Sequence, residues 1–315
     1  MLFISINIKN NVKNIIITLL VIVVAGFGLY FLLPKSSPSD KDIYENTTNI
    51  PEQPEEQTVV VATSTPQQTN PTTIGKSTEG KDISLYQYGD GDTEILFVGG
   101  IHGGYEWNTV LLAYEAIDYL EANPQAIPDN IKVTIIPVLN PDGLNKVVGT
   151  STRFSLTDVP KDETEAVDGR FNANKVDLNR NFDCDWQTSG TWQNKTVSGG
   201  NQVFSESESQ AMKSYIENHD PQAVVVWYSA AGGVFSSSCH NGISAETKAL
   251  TSAYAKASSY TSHEEFDSYS ITGDMVNWLA KKNIPAISVL LTDHKNTEWV
   301  KNQAGIEAIL EYYKK

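Results

Sequence analysis

Short apolar runs alternate with amphipathic segments from about residue 74 to the C-terminus at residue 315. Runs such as EILFV, IKVTIIPVL, QAVVVWY and AISVLL predict strands, and the stretches between them repeat apolar residues at helical spacing. Strands that alternate with helices favour a mainly parallel sheet covered on both faces. We therefore expect four strands in one sheet, at about 95–98, 131–138, 223–228 and 285–291.

Two local signals within this pattern make more detailed predictions. NTVLLAYEAIDYLEAN has helical spacing, and its first residue, Asn108, is placed as the helix cap. NPDG, at 140–143, follows the second strand and predicts a turn. Further helices are predicted at SESESQAMKSYIENH, SAETKALTSAYAKASS, TGDMVNWLAKKN and the tail EWVKNQAGIEAILEYYKK.

The N-terminal region contains a long apolar segment, residues 15–33, with no charged side chain. At about 1.5 Å per residue, a helix of this length nearly spans a hydrocarbon core of about 30 Å. We expect one transmembrane anchor, with residues 1–14 in the cytoplasm and the rest outside. The alternative is a cleaved signal peptide, whose apolar region is usually shorter, at about 7–15 residues. Both interpretations export the remainder of the chain.

Residues 34–73 are rich in Ser, Thr, Pro, Gln and Glu and are expected to form a disordered linker, because they have little apolar surface to bury. The folded domain is then predicted at 74–315.

A formal net charge of −15 argues against nucleic acid and anionic membrane surfaces as electrostatic partners. Cys184 and Cys239 are compatible with one disulfide outside the cytosol, or with two thiols inside it.

Two groups of polar residues suggest a functional site. His102 and Glu106 follow a strand and could meet on one face if a helix begins there; zinc binds both residue types and in enzymes usually has three protein ligands. The alternative is a buried histidine beside a glutamate that favours a helix start. In VDLNRNF, Asn179 and Arg180, with Arg170 upstream, could bind a carboxylate, since guanidinium does so in bidentate fashion. The alternative is a structural ion pair.

GKSTEGKDI, GGIHGGYEW, NPDG, VDLNRNF, YSITGDMVNW and TDHKNTEW occur in this order between residues 74 and 315. Together they resemble the zinc carboxypeptidases of the carboxypeptidase A type. The resemblance implies an α/β fold in which helices sandwich a mixed, mostly parallel eight-stranded sheet. It also implies one zinc ion and cleavage of the C-terminal residue from peptides, or action on related cell-wall peptides.

The resemblance also assigns roles to individual residues. His102 and Glu106 match the first zinc motif, although His-x-x-x-Glu here has one residue more than the usual His-x-x-Glu. Asn179 and Arg180 match the pair that holds the substrate's terminal carboxylate. Three further positions are implied: Arg170 as the arginine that polarises the scissile carbonyl, Tyr269 as the mobile substrate tyrosine, and Asp274 in the pocket floor, where it hints at a basic side chain.

Two central positions depart from the family pattern. Tyr228 stands where the third zinc ligand, a histidine, is expected, and Leu290 stands where the catalytic glutamate is expected. Strand parity places Leu290 on the same face as Ser288 and Thr292. Positioned acid–base catalysis contributes about 10²–10⁴-fold, and leucine cannot supply it. Zinc binding is therefore expected to be weak or absent. His240 is the alternative to Tyr228 as a third zinc ligand.

Three hypotheses follow for a membrane-anchored domain outside the cytoplasm. The first is a zinc peptidase that uses Tyr228 or His240 and a substitute base. The second is an inactive homologue that still binds peptide C-termini, and the third is a surface-tethered scaffold.

In the arrangement that the resemblance implies, Cys184 follows Arg180, and Cys239 follows the Tyr228 strand, so both lie near one pocket. We predict a Cys184–Cys239 disulfide.

Overall fold

The structure is a computed structural model that describes residues 70–315. This part of the chain contains an eight-stranded sheet and a separate two-stranded hairpin. The strands are β1 Thr72–Lys76, β2 Asp82–Tyr88, β3 Thr93–Val98, β4 Ile131–Ile136, β5 Ser189–Trp192, β6 Lys195–Ser198, β7 Ala223–Ser229, β8 Gly233–Ser236, β9 Thr261–His263 and β10 Ala286–Leu291.

The large sheet has the order β1-β2-β4-β3-β7-β10-β8-β9. The pairs β3–β4, β3–β7, β7–β10 and β8–β9 are parallel, and the other three pairs are antiparallel. The four predicted strands are β4, β3, β7 and β10, which are consecutive neighbours in the sheet. The prediction of a mixed, mostly parallel eight-stranded sheet is confirmed.

Helices cover both faces of the sheet. The helices are α1 Trp107–Ala122, α2 Pro141–Val148, α3 Ser207–His219, α4 Ala245–Ser258, α5 Met275–Lys281 and α6 Trp299–Tyr313. Apolar side chains of α1, α4 and α6 pack on one face with Phe97 and Trp227. Those of α3 and α5 pack on the other face with Leu96 and Val226. Buried apolar residues on both sides explain why the central strands are apolar throughout.

Side chains of β10 alternate between these two cores, as strand parity predicts. Ile287 and Val289 belong to the core beneath α1, α4 and α6. Leu290 belongs to the opposite core, and Ser288 also faces away from the first one. Leu290 is the direct cross-strand partner of Tyr228 in β7. The two positions that depart from the family pattern are therefore adjacent.

The structure corrects two local predictions. Asn108 does not cap α1, which begins at Trp107; its side chain instead donates to the backbone oxygens of Asp293 at 2.7 Å and Asn296 at 3.0 Å. NPDG is not an isolated turn but the start of α2. Asn140 caps this helix by accepting from the amide of Gly143 at 2.9 Å, and proline suits the first helical turn.

The domain's first strand begins at Thr72, two residues before the predicted start of the domain at 74. The predicted cytoplasmic N-terminus at 1–14, the anchor at 15–33 and most of the linker lie outside the described residues. Between residues 70 and 315, no helix is both long and apolar enough to cross a membrane.

Candidate functional site

A cavity of about 340 Å³ opens at the carboxyl ends of β3, β7 and β10. Open α/β sheets commonly place ligand sites at such strand ends. The structure brings every site residue predicted from the sequence to the wall of this cavity: His102, Glu106, Arg170, Asn179, Arg180, Tyr228, Tyr269 and Leu290. Their individual roles remain predictions, and the geometry below shows what each side chain can do.

His102 and Glu106 are positioned by a glycine-rich turn that follows β3. A 3-10 helix, Gly103–Glu106, packs so closely against α2 that a Cβ on Gly104 would lie 2.4 Å from Cβ of Val147. Glycine is needed there because any side chain would separate the turn from α2.

His102 lies between two carboxylates. Its Nδ1 is 2.8 Å from Oε1 of Glu106, and its Nε2 is 3.4 Å from Oδ1 of Asp177. Neither ring nitrogen is aligned with a hydrogen-bond partner, and Oε2 of Glu106 also lacks one. Nδ1 of His102 and the carboxylate of Glu106 are thus two potential metal ligands. They lie close together in a buried position, as two ligands of one metal ion would.

Asp177 fixes Arg170 in place, which the sequence analysis did not anticipate. Oδ2 of Asp177 accepts from Nε of Arg170 at 2.9 Å and lies 2.8 Å from its Nη2. Burial of Asp177 opposes its ionisation, but the Arg170 guanidinium, helped by His102, holds its pKa well below the usual range. Arg170 thus forms a buried ion pair with Asp177, and it also lines the cavity, so its predicted role towards the substrate stays a prediction.

Tyr228 lies beside His102, with the two ring centroids 5.7 Å apart. The family resemblance places the third zinc ligand at this residue. Its hydroxyl donates to Oδ1 of Asn179 at 3.3 Å. Burial, together with the charges of Asp274 and Glu106, raises the pKa of Tyr228 well above its usual value. These surroundings therefore favour the protonated phenol.

The residues present do not fit a three-ligand catalytic zinc site. His102 and Glu106 supply two donors, and Tyr228 supplies a protonated hydroxyl. Within residues 70–315, no group of three His, Cys, Asp or Glu side chains is arranged to hold a metal ion. The apolar side chain of Leu290 lines the same cavity, where the family's general base is expected.

Arg180 contrasts with Arg170. It is 1% exposed, and its Nη1 and Nη2 donate to the backbone oxygens of Asn179 at 2.7 Å and Thr191 at 2.8 Å. Its Nε has no hydrogen-bond partner. The ion pairs of the described residues do not include Arg180. Since guanidinium carries five N–H donors, three remain after these two bonds.

The side chain of Asn179 is largely committed to the protein. Its Nδ2 donates to Oδ2 of Asp274 at 2.9 Å, and its Oδ1 also accepts from the amide of Met275 at 3.1 Å. Asp274 caps α5, and its burial raises its pKa. The ring of Tyr269 lies 5.8 Å from Cζ of Arg180. Arg180 is thus the polar group of this wall with the most remaining donors.

Cys184 and Cys239 form a disulfide on the cavity wall, which confirms the predicted pairing. His240, the alternative zinc ligand, lies at the rim with its side chain 71% exposed and its Nε2 2.8 Å from Oδ1 of Asp185. The disulfide joins the loop that follows Arg180 to the loop that follows β8. His240 does not complete the pair formed by His102 and Glu106.

The hairpin β5–β6 supplies wall residues that sequence reasoning missed. Trp192 packs its indole face 4.5 Å from Cζ of Arg170 and contacts Tyr105 edge-on at 5.1 Å. Thr191, the preceding residue, accepts the bond from Arg180. No local sequence signal marked this hairpin, whereas Asp177 could have been noticed in VDLNRNF, two residues before Asn179.

Comparison with known proteins decides the family. The family model of the zinc carboxypeptidases matches residues 55–314. The chain belongs to the zinc carboxypeptidase family. The match begins ahead of residue 74, where the domain was predicted to start. The family is zinc-dependent, whereas the described residues of this domain contain no group of three His, Cys, Asp or Glu side chains that could hold a metal ion.

Individual relatives of this zinc carboxypeptidase domain are distant. Carboxypeptidase Z of Rattus norvegicus is 30% identical over 122 residues, which are 35% of this chain and 17% of that protein. The chain thus matches less than a fifth of the length of this relative. The crystal structure of thrombin activatable fibrinolysis inhibitor aligns with a TM-score of 0.63 at 16% identity, over 79% of this chain and 70% of that one. Murein-tripeptide amidase from Escherichia coli O157 aligns with a TM-score of 0.54 at 17% identity, over 78% and 94%.

Proposed function

We propose that this domain binds the free C-terminal carboxylate of peptides through Arg180 and hydrolyses them very poorly. The observation that carries the proposal is a buried guanidinium that lines the cavity without a paired carboxylate. The buried carboxylates of Asp177 and Asp274 act on Arg180 electrostatically but form no ion pair with it, so its remaining N–H groups would favour a ligand carboxylate. Arginine also suits this ligand, because its planar fork matches both carboxylate oxygens.

The second part of the proposal is supported by Tyr228 and Leu290, which line the same cavity. Leu290 cannot take a proton from water, and Tyr228 is a hydrogen-bond donor where a metal ligand is expected. Each change removes a different requirement of metal-assisted hydrolysis, namely activation of the water and retention of the metal. Binding and turnover are therefore expected to be separate properties of this chain.

Peptides of the cell wall are the first ligands to try. One structural neighbour is a murein-tripeptide amidase, and the domain is expected to lie where such peptides occur. We propose that residues 15–33 anchor it in a membrane with residues 74–315 outside the cytoplasm. The Cys184–Cys239 disulfide supports export, since disulfides persist in oxidising compartments. Alkaline extraction should leave the full-length protein with the membranes, and its release would contradict the anchor.

The binding proposal is tested by calorimetry on the full-length protein. The ligands are acetyl-Ala-Ala-X tripeptides with varied last residue and a murein tripeptide, each as the free acid and the C-terminal amide. We expect the acids to bind at least about 10-fold more tightly, because hydrogen bonds to charged groups contribute about 1.5–3 kcal/mol. Arg180→Gln should abolish this preference. Arg153→Gln removes an exposed arginine paired with Asp118 and is the matched control.

Two results would contradict the proposed function. Equal affinity for acids and amides would show that the cavity does not recognise a terminal carboxylate, and a preference that survives Arg180→Gln would place the carboxylate elsewhere. The same peptides, analysed by mass spectrometry after incubation with zinc, test turnover. Sustained zinc-dependent loss of the last residue would favour an active peptidase over a binding domain.

A further inference from the structure

We propose that the hydroxyl of Tyr228 donates a hydrogen bond to the carbonyl oxygen of the ligand's last peptide bond. It would thereby hold the ligand without a metal ion, at the position where the family places its third zinc ligand. This inference rests on the proposed function, because it requires the terminal carboxylate to lie at Arg180.

The position of Tyr228 relative to Arg180 supports this assignment. Tyr228 lies near the end of β7 and faces the cavity beside His102. Its hydroxyl contacts the side chain of Asn179, while Arg180 contacts the backbone oxygen of the same residue. The hydroxyl and the guanidinium thus both contact Asn179 and line the same cavity. An extended peptide advances about 3.3–3.6 Å per residue, so a carboxylate at Arg180 brings the preceding carbonyl towards Tyr228.

The hydroxyl can exchange its present partner at low cost. Oδ1 of Asn179 is an amide oxygen and can only accept, so the phenol carries its proton and acts as the donor. The distance of 3.3 Å exceeds the usual 2.5–3.0 Å of O–H···O hydrogen bonds. Oδ1 also accepts from the amide of Met275 at 3.1 Å. It therefore keeps a donor when Tyr228 turns towards a ligand.

Neighbouring polar groups are less suited to this role. The hydroxyl of Ser229 donates to Oδ1 of Asn108 at 2.9 Å, which fixes it at the start of α1. Arg170 binds Asp177 through Nε and Nη2, and its Nη1 lies 3.8 Å from Oε1 of Glu106, so its guanidinium is held between two carboxylates. Leu290, the cross-strand partner of Tyr228, has no polar group. Tyr228 is thus the donor on this wall whose present bond is long and replaceable.

The experiment compares two ligands on two proteins. The first ligand is the best-binding acetyl-Ala-Ala-X acid; the second replaces its last amide with a trans-alkene, which keeps the shape and the carboxylate but removes the carbonyl acceptor. Affinities are measured by calorimetry on full-length parent and Tyr228→Phe protein in the presence of a metal chelator. Tyr254→Phe is the control, since it removes a buried hydroxyl that donates to Asn302 on the other face of the sheet.

We expect Tyr228→Phe to weaken binding of the peptide about three- to tenfold, as loss of one neutral hydrogen bond would. Binding of the alkene should be unchanged, and Tyr254→Phe should leave both affinities at parent values. Equal weakening of both ligands, or no weakening of either, would overturn the inference while carboxylate-dependent binding persists. If neither ligand binds the parent in a carboxylate-dependent way, the proposed function fails and this inference fails with it.

Discussion

The two ends of the cavity have different chemistry. At the recognition end, defined by Asn179, Arg180 and Tyr269, a buried cation keeps three N–H donors that no protein group uses. At the hydrolytic end, defined by His102, Glu106, Tyr228 and Leu290, a phenol and a leucine stand where the family resemblance predicts a metal ligand and a general base. The two proposed roles, binding and hydrolysis, therefore depend on different side chains.

The two arginines show the same contrast within 10 residues of sequence. Arg170 is neutralised by Asp177 and covered by Trp192, so its charge is used in holding the wall together. Arg180 donates to backbone oxygens beside an aromatic ring and forms no ion pair among the described residues, so under the proposed function its remaining N–H groups are left for a ligand. Equal burial therefore does not mean equal function, and the bonding partner of each guanidinium decides which role it can have.

The largest expected effect comes from rebuilding the hydrolytic end. Tyr228→His with Leu290→Glu should restore zinc binding and C-terminal trimming, because the pair supplies the third ligand and the general base. Positioned acid–base catalysis alone accounts for about 10²–10⁴-fold. Each single variant should stay close to the parent, since groups that act as a unit are not additive. Zinc content and peptide trimming are measured on parent, singles and double.

Rapid zinc-dependent trimming by the parent protein would contradict this prediction. It would show that the hydrolytic end still holds zinc and still has a catalytic base. Uptake of zinc by the double variant without any turnover would instead show that the hydrolytic end has also lost its shape.

Stability should separate the two arginines next. Arg170→Gln leaves Asp177 buried without its counter-charge, which typically costs about 3–5 kcal/mol and lowers Tm by on the order of 10 °C for a domain of this size. Arg180→Gln leaves only backbone oxygens without a donor, at about 1–3 kcal/mol. Thermal unfolding followed by circular dichroism measures both. A larger loss for Arg180→Gln would mean that its charge is structural.

Removal of the disulfide should have a somewhat smaller effect. Cys184→Ala with Cys239→Ala opens a link across 55 residues, and such links typically contribute about 2–4 kcal/mol. Because both cysteines line the cavity, affinity for peptide acids should also fall. Thermal unfolding and calorimetry test this, with the reduced parent as a second sample. Unchanged affinity in a destabilised variant would show that the link supports the fold and not the recognition end.

The smallest expected effect is a local change at the recognition end. A Cβ on Gly190 would lie 2.8 Å from Cδ of Arg180, so Gly190→Ala should push the arginine slightly aside. We expect about a two- to fivefold loss of affinity for peptide acids, the scale of a mild overpacking cost. Ser189→Ala, an exposed position on the same hairpin, is the control. Equal effects of both variants would assign the loss to the hairpin as a whole.

The features that could be predicted from the sequence are marked either by a local residue pattern or by the order of motifs along the chain. The alternation of apolar runs predicts the central strands, since those runs must be buried on both faces. The motif order predicts which residues line the cavity. Asn108 shows the limit of such prediction. Its residue type and its position suit a helix cap, but its side chain instead donates to the backbone oxygens of Asp293 and Asn296. A partner so distant in sequence leaves no signal near the residue that it binds.

The hairpin β5–β6 was missed for a related reason. Its residues, SGTWQNKTVS, alternate only weakly, and the turn has no Asn-Gly or Asp-Gly pair. Trp192 is buried because Arg170 and Tyr105 lie beneath it. The role of Asp177 likewise depends on Arg170 and His102 reaching it in the folded chain. Such side chains become recognisable only after the neighbouring elements have been placed.

The cross-strand pairing of Tyr228 with Leu290 has a consequence for how this sequence can evolve. Reverting Leu290 alone would bury a carboxylate beside a phenol with no metal to neutralise it, and reverting Tyr228 alone would supply a ligand with no base. Each intermediate would bear a cost in stability or give no turnover in return. Under the proposed function, neither single change would bring turnover, so both positions would have to change together for hydrolysis to arise.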